Sequence, residues 1–463
     1  MAVFLLRLAA AWLLIGCAVA TAQEPPTAQP KEVTPVEKDD DKKKDAEPEW
    51  YNIRGQTTLI PQGNFPFPSP YQGLYSLDPS PKYRATATTT LFIIARICEG
   101  SEIIFNPELS AGGGLGNSTN GTVGIGGFPN GEATRTGAPQ PTPYIARLLW
   151  RQTLGLGGER QDVEEGPNSL GSKVDVNRIT LRLGKMSAGD VFDDNAYSHD
   201  PRTQFLNWGL MYNGAWDYPA NVRGYTYGGA IEWNTKLWSF RYGVFAEPSV
   251  ANGAAFDPHI LQANANTWEI ERRWKVNNRP GALSFLSFLN NAHMGSYRQS
   301  IALGVQQGTT PDITATREYR IKYGFGLNLE QELMDDVGLF GRLGWNDGQT
   351  ETWAFTEIDR TASIGVQIKG TRWKRKDDRL GFAVLANGLS DAHRDYLAAG
   401  GVGFIVGDGQ LNYSPERIFE TYYNIQLKKG IVLGLGYTGV ANPGYNRDRG
   451  PVSIGTVRFH SEY

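Results

Sequence analysis

The chain has 463 residues, a formal net charge of −3 and only two cysteines. A charge so near neutral excludes the basic surface that a nucleic-acid partner needs, and two cysteines supply neither a disulfide framework nor a Cys-rich zinc site. Beyond residue 22 no stretch holds eighteen unbroken apolar residues, so no transmembrane helix is expected.

Residues 1–22 read as a cleavable secretory signal. Arg7 precedes the apolar run from Leu8 to Ala20, and Ala20 and Ala22 are the small residues that a signal peptidase needs ahead of Gln23. A lipoprotein signal that acylates Cys17 is the competing reading. Residues 23–49 are rich in Pro, Lys, Asp and Glu, and they bury too little apolar surface to fold alone. A disordered leader is expected there, with tethering to the cell wall or another chain as the functional alternative. Residues 50–463 form the remaining domain.

From Trp50 onward the chain divides into sixteen strand-like stretches, near 51–60, 83–98, 101–110, 144–155, 174–185, 225–234, 236–246, 265–274, 296–306, 318–332, 336–346, 359–370, 379–388, 416–428, 431–441 and 451–463. Several alternate cleanly with period 2. In 318–332, Tyr319, Ile321, Tyr323, Phe325, Leu327 and Leu329 oppose Arg320, Lys322, Asn328 and Glu330; in 416–428, Phe419, Tyr423, Ile425 and Leu427 oppose Glu420, Tyr422, Asn424 and Gln426. A helix would scatter these charges around its circumference, and a parallel α/β strand would be apolar on both faces. The final strand ends on Tyr463, which shares a parity with Phe459 and Val457 while Arg458 and His460 take the other. Very short connections, such as 333–335, mix with long Gly/Asn/Pro-rich ones at 111–143 and 186–224. The expected fold is all-β: a transmembrane antiparallel β-barrel of about sixteen strands, with long extracellular loops and short periplasmic turns. The 12 Trp, 21 Tyr and 20 Phe then have a place in two interfacial girdles.

Motif matches add little. Gly434 to Gly439 spells GxGxxG, but Leu433, Leu435 and Tyr437 alternate with the glycines straight through a strand, whereas a dinucleotide fingerprint must end a strand and open a helix. The acidic loop at 190–202, with Asp190, Asp193, Asp194, Asn195, His199 and Asp200, has oxygen ligands enough for calcium but not the spacing of an EF-hand. Turn caps explain it better. The five histidines are scattered, and neither catalysis, nor a metal site, nor a cofactor is expected.

Three blocks resemble one family. SEIIFNPELSAGGGLG (101–116) with GGFPNGEA (126–133), the run from Asn177 to Trp233 around QFLNW and GYTYG, and SPERIFETYYNIQL (414–427) with GLGYTGVANPG (434–444) and the closing strand are similar to the carbohydrate-selective porins of the OprB family. The resemblance covers most of residues 80–463. It implies a sixteen-stranded barrel in the outer membrane of a diderm bacterium, passing mono- or short oligosaccharides by diffusion. The partners implied are sugars and outer-membrane lipid, and self-association into a homo-oligomer stays open.

The inward parity supplies pore-lining candidates: Arg147, Arg151, Arg178, Arg182, Glu232, Arg241, Glu269, Glu271, Arg273, Arg320, Lys322, Arg342, Glu420 and Tyr422. A sugar sheds its hydration only where wall groups replace its hydrogen bonds, and its ring face rests well on an aromatic ring. The alternative for each is an ion pair that merely braces the wall. Other functions for such a barrel are a general or anion-selective pore, an adhesin or an outer-membrane hydrolase. No nucleophile–base pair points to the last, and residues 23–49 are too few to form the plug of an energised receptor.

Overall fold

The structure is a computed structural model in which residues 49–116, 123–135 and 140–463 are described; the signal and leader expectations lie outside them. Antiparallel strands run in chain order as β1 (Tyr51–Asn64), β2 (Lys82–Cys98), β3 (Ser101–Gly112), β4 (Thr142–Gly155), β5 (Arg160–Val163), β6 (Ser172–Asp175), β7 (Arg178–Met186), β8 (Thr226–Asn234) and β9 (Trp238–Ala246). They continue as β10 (Asn264–Val276), β11 (Arg279–Met294), β12 (Glu318–Met334), β13 (Val337–Asn346), β14 (Arg360–Gly370), β15 (Arg375–Gly388), β16 (Glu416–Lys428), β17 (Ile431–Ala441) and β18 (Val452–Glu462). All but β5 and β6 close into one barrel in which each strand pairs with its neighbours and β18 pairs with β1. The seam is finished by hydrogen bonds exchanged between Gly55 and Tyr463 at 2.7 and 2.9 Å.

The period-2 pattern sorts side chains as a membrane barrel requires. On β12, Tyr319, Ile321, Tyr323, Phe325 and Leu327 point outward and are exposed, whereas Lys322 and Asn328 are buried inside. On β18, Val457, Phe459 and Tyr463 are exposed and Thr456, Arg458 and His460 buried. An outward band of exposed apolar side chains is the pattern of a barrel whose outer surface is built for lipid.

Two stretches depart from the sequence expectation. Residues 296–306, expected as a strand, form a helix, α2 (Tyr297–Gln307), after the short α1 (Trp208–Met211) and before α3 (Asp391–Ala398). Ser296 caps α2 by accepting from the Gln299 amide, and Gly308 closes it in the left-handed conformation (φ 65°). The strand counted there is β11, whose alternation is blurred because its inward residues Leu286 and Phe288 are as apolar as its outward Leu283 and Phe285. The barrel count stays at sixteen because one strand replaces the other.

Most connections at the end that carries the chain termini are turns of a few residues, such as Asn277-Asn278, where both residues have positive φ. The opposite, extracellular end carries the long loops, and that at 187–225 descends into the lumen. Its aromatic residues Phe192, Trp208, Tyr212, Trp216 and Tyr218 form a buried core with Phe128 and Phe355, and Trp208 stacks on Phe355 at 4.6 Å between ring centroids.

Candidate functional site: a charged belt facing an inserted loop

The inserted loop is tied to the wall formed by β12–β18, with further bonds to Glu108 of β3, Arg147 of β4 and Glu269 of β10. Short turns and α1 pair some of the loop's backbone groups with one another, and barrel side chains take up others that these turns leave over. Arg342 Nη1 donates to the Leu210 carbonyl at 2.7 Å, its Nη2 to the Ser198 carbonyl at 2.9 Å, and its Nε to Asp193 at 3.2 Å. Glu420 accepts from the amides of Leu206 and Asn207 at 2.6 and 2.9 Å. Arg458 donates to the carbonyls of Pro201 and Gln204, both at 2.7 Å, and Asn346 to that of Ala215 at 3.0 Å. Gly326 and Gly344, paired across β12 and β13, leave the space that Asn213 of the loop occupies; a Cβ on either would lie within 2 Å of its side chain. The acids of 190–202 belong to this anchoring. Asp193 takes Arg342, Asn328 and the Asn213 amide, and Asp190 takes Arg147 at 2.6 and 2.7 Å. Burial works to raise the Asp190 carboxyl, but Arg147 beside it holds it below the usual carboxylate range. Asp194 instead stays exposed, 3.8 Å from His199, and no group of three or more acids, histidines or cysteines suited to a metal ion is found among the described residues.

The facing wall, β2–β4 and β7–β10, is built differently. Ladder register sets Arg96 opposite Glu102, Glu102 opposite Arg151, and Arg151 opposite Arg182. The row then continues with Glu232 opposite Arg241 and Arg241 opposite Glu269. The ion pairs follow this register: Arg151–Glu102 at 2.7 Å, Arg182–Glu232 at 3.5 Å, Arg241–Glu232 at 3.4 Å, Arg241–Glu269 at 2.5 Å, Arg241–Glu271 at 2.9 Å and Arg273–Glu271 at 3.1 Å. Donors and acceptors thus mix along a belt on the lumenal face, with one like-charged neighbouring pair, Arg151 and Arg182. Most keep some access to water, from 10% of the side chain for Arg241 to 32% for Arg273.

The model of the carbohydrate-selective porin, OprB family matches residues 74–463. The chain belongs to that family. Among solved structures, this OprB-family chain is similar to Pseudomonas putida OprB at high pH, with 14% identity, a TM-score of 0.68, and coverage of 89% of this chain and 94% of that one. It is also similar to the outer-membrane channel DcaP of Acinetobacter baumannii, with 10% identity, a TM-score of 0.50, and coverage of 89% and 97%. At these identities the likeness concerns the fold. No curated protein matches the chain. Family and fold together make the protein an outer-membrane porin, a channel-forming barrel.

Within this porin the residues singled out by parity fall into three groups. Arg151, Arg182, Glu232, Arg241, Glu269, Glu271 and Arg273 lie together in the belt, with Arg147 beside it on Asp190 and Arg178 one step toward the periplasmic rim. Lys322, Arg342, Glu420 and Tyr422 also point inward, but they are at most 4% exposed, beneath the loop or the connections above it. Arg320 sits near the extracellular end, holding the Met294 carbonyl and Gln299. Sequence reasoning missed Arg96 and Glu102. The signal was the tight turn at 99–100, which sets the two across from each other in one hairpin.

Proposed function

We propose that this porin passes uncharged sugars by passive diffusion, and that the belt on β2–β4 and β7–β10 lines their path. The observation that carries the reading is the set of partly hydrated arginine–glutamate pairs on one wall, facing the inserted loop. A sugar hydroxyl needs a donor and an acceptor a few ångströms apart, and each rung offers both without an enclosed pocket that would hinder exit. The aromatic rings of the loop are buried in its own core, so hydrogen bonding rather than ring stacking would set the preference. Balanced charge on the belt argues against an anion-selective pore.

Planar-bilayer conductance, recorded with and without added mono- and oligosaccharides, tests this. Sugars are expected to block ion current reversibly, and Glu271→Gln with Arg273→Gln to weaken that block while the barrel stays folded and heat-modifiable. Current indifferent to every sugar, with strong anion preference in the reversal potential, would replace this reading with that of a charge-selective pore.

A further inference from the structure

One periplasmic connection does not conform to the pattern of short turns. Gly155 and Arg178 pair directly across β4 and β7, so a two-residue turn would join these strands, yet residues 156–177 intervene. They extend the ladder into a hairpin, with Leu156 bonded to Asn177 at 2.9 Å, Val176 to Glu159 at 2.8 Å, and β5 paired with β6. At its base Gly157 and Gly158 both have positive φ, 83° and 96°, a backbone bend that side chains resist.

The tip of this hairpin lies inside the barrel. Glu165 meets Arg54 of β1 at 2.5 Å and accepts from Asn52. The tip is tightened by reciprocal backbone bonds between Gly166 and Ser169 at 3.0 and 3.1 Å. Asn168 accepts from Asn106, midway along β3, at 2.7 Å, and its carbonyl accepts from Arg151 at 3.1 Å. Leu170, 1% exposed, belongs to one buried cluster with Ile94, Ile104 and Leu149, which stand side by side in register on β2, β3 and β4. An apolar row on the lumenal face of a porin is out of place unless something covers it. Leu170 is buried in the same cluster as that row, and with the bonds of Asn168 to Asn106 and Arg151 the tip is seated on the wall.

We propose that this hairpin forms a second, periplasmic constriction of the diffusion path, and that Glu165 and Asn168 at its tip, with Arg151 and Arg54 on the wall, contact the solute as it leaves the belt. Arg151 links the two stations, because it holds Glu102 of the belt and the tip carbonyl at once. The Glu165 and Arg54 side chains remain 41% and 39% exposed, so both can exchange their mutual bond for a hydroxyl. The solute class rests on the sugar reading above; the constriction does not.

The test separates the two. Replacing 156–177 by Asn-Gly is expected to raise single-channel conductance in KCl alone by about twofold or more, because the narrowest bore limits the current. Unchanged conductance in that folded variant would overturn the constriction, whatever sugars do. Glu165→Gln with Asn168→Ala keeps the hairpin and guards against a deletion that fails to fold. It should slow the onset of sugar block from the periplasmic side several-fold more than from the extracellular side. Equal block from both sides would remove these residues from the path. A wild-type channel that no sugar blocks, with the deletion still widening it, would defeat the sugar reading and leave the constriction standing.

Discussion

The two walls of this barrel carry similar residues to opposite ends. On β12–β18 Arg342, Glu420 and Arg458 are dry and point at backbone groups of the inserted loop, whereas on β4 and β7–β10 Arg151, Arg182, Glu232, Arg241, Glu271 and Arg273 stay partly wet and pair with acids and arginines of the wall itself; Glu269, buried and bonded to the Asp193 amide of the loop, joins the first kind. A buried charge is tolerated only when fully paired, so the dry wall cannot lose a member without releasing the loop. A wet pair loses little when broken, because water replaces the partner. Inward charge is therefore no guide to function by itself; what distinguishes the two kinds of residue is whether the loop covers them, as it does Arg342 and Glu269 but not Arg273.

The difference can be broken most sharply at Arg342. Arg342→Ala leaves Asp193 buried without its cation and the Leu210 and Ser198 carbonyls unpaired, at a cost of about 3–5 kcal/mol. The loop at 187–225 should become cleavable by protease in detergent, and single-channel current should turn noisy and larger. A middle-sized effect is expected from pH. Burial pushes the Asp217 carboxyl up to about 6, with Lys322 and the amides of Trp353 and Ala354 only partly offsetting it, and neighbouring Glu247 is raised well above the ordinary carboxylate range. The folded state thus binds the Asp217 proton more tightly than the unfolded chain. Its contribution is lost as pH rises through about 6 and grows as pH falls toward 4, by about 1 kcal/mol between pH 7.5 and 5.5. Thermal unfolding followed by tryptophan fluorescence should show higher Tm at pH 5.5, with a shallower slope in Asp217→Asn. The smallest change in stability, under about 1 kcal/mol, is expected for Glu271→Gln with Arg273→Gln, which nonetheless alters sugar block. A double mutant that unfolds as readily as Arg342→Ala would erase the distinction between the walls.

Much of the barrel was legible because lipid enforces a strict alternation. Where that rule relaxes, reading fails: β11 is apolar on both faces since its inner side packs under the loop, and the Ser296 and Gly308 caps that define α2 are weaker signals than its Ile301 and Leu303. Parity also found the inward charges, but it could not say which of them a loop would cover. Arg342 and Arg241 look alike in sequence, each flanked by apolar neighbours on a strand. Only the path of residues 187–225, and of the hairpin at 156–177, separates them, and those contacts are made across more than a hundred residues of chain.

The pairing of arginine with glutamate along most of the belt has an outcome for the habitat of the cell. Neighbouring strands lie about 4.8 Å apart, so opposite charges on the belt sit well inside the roughly 10 Å over which 0.1 M salt screens a field. Their fields cancel before reaching far into the water, and little remains for dissolved ions to weaken. Uptake of a neutral solute through such a passage should keep the same rate in fresh and in brackish surroundings.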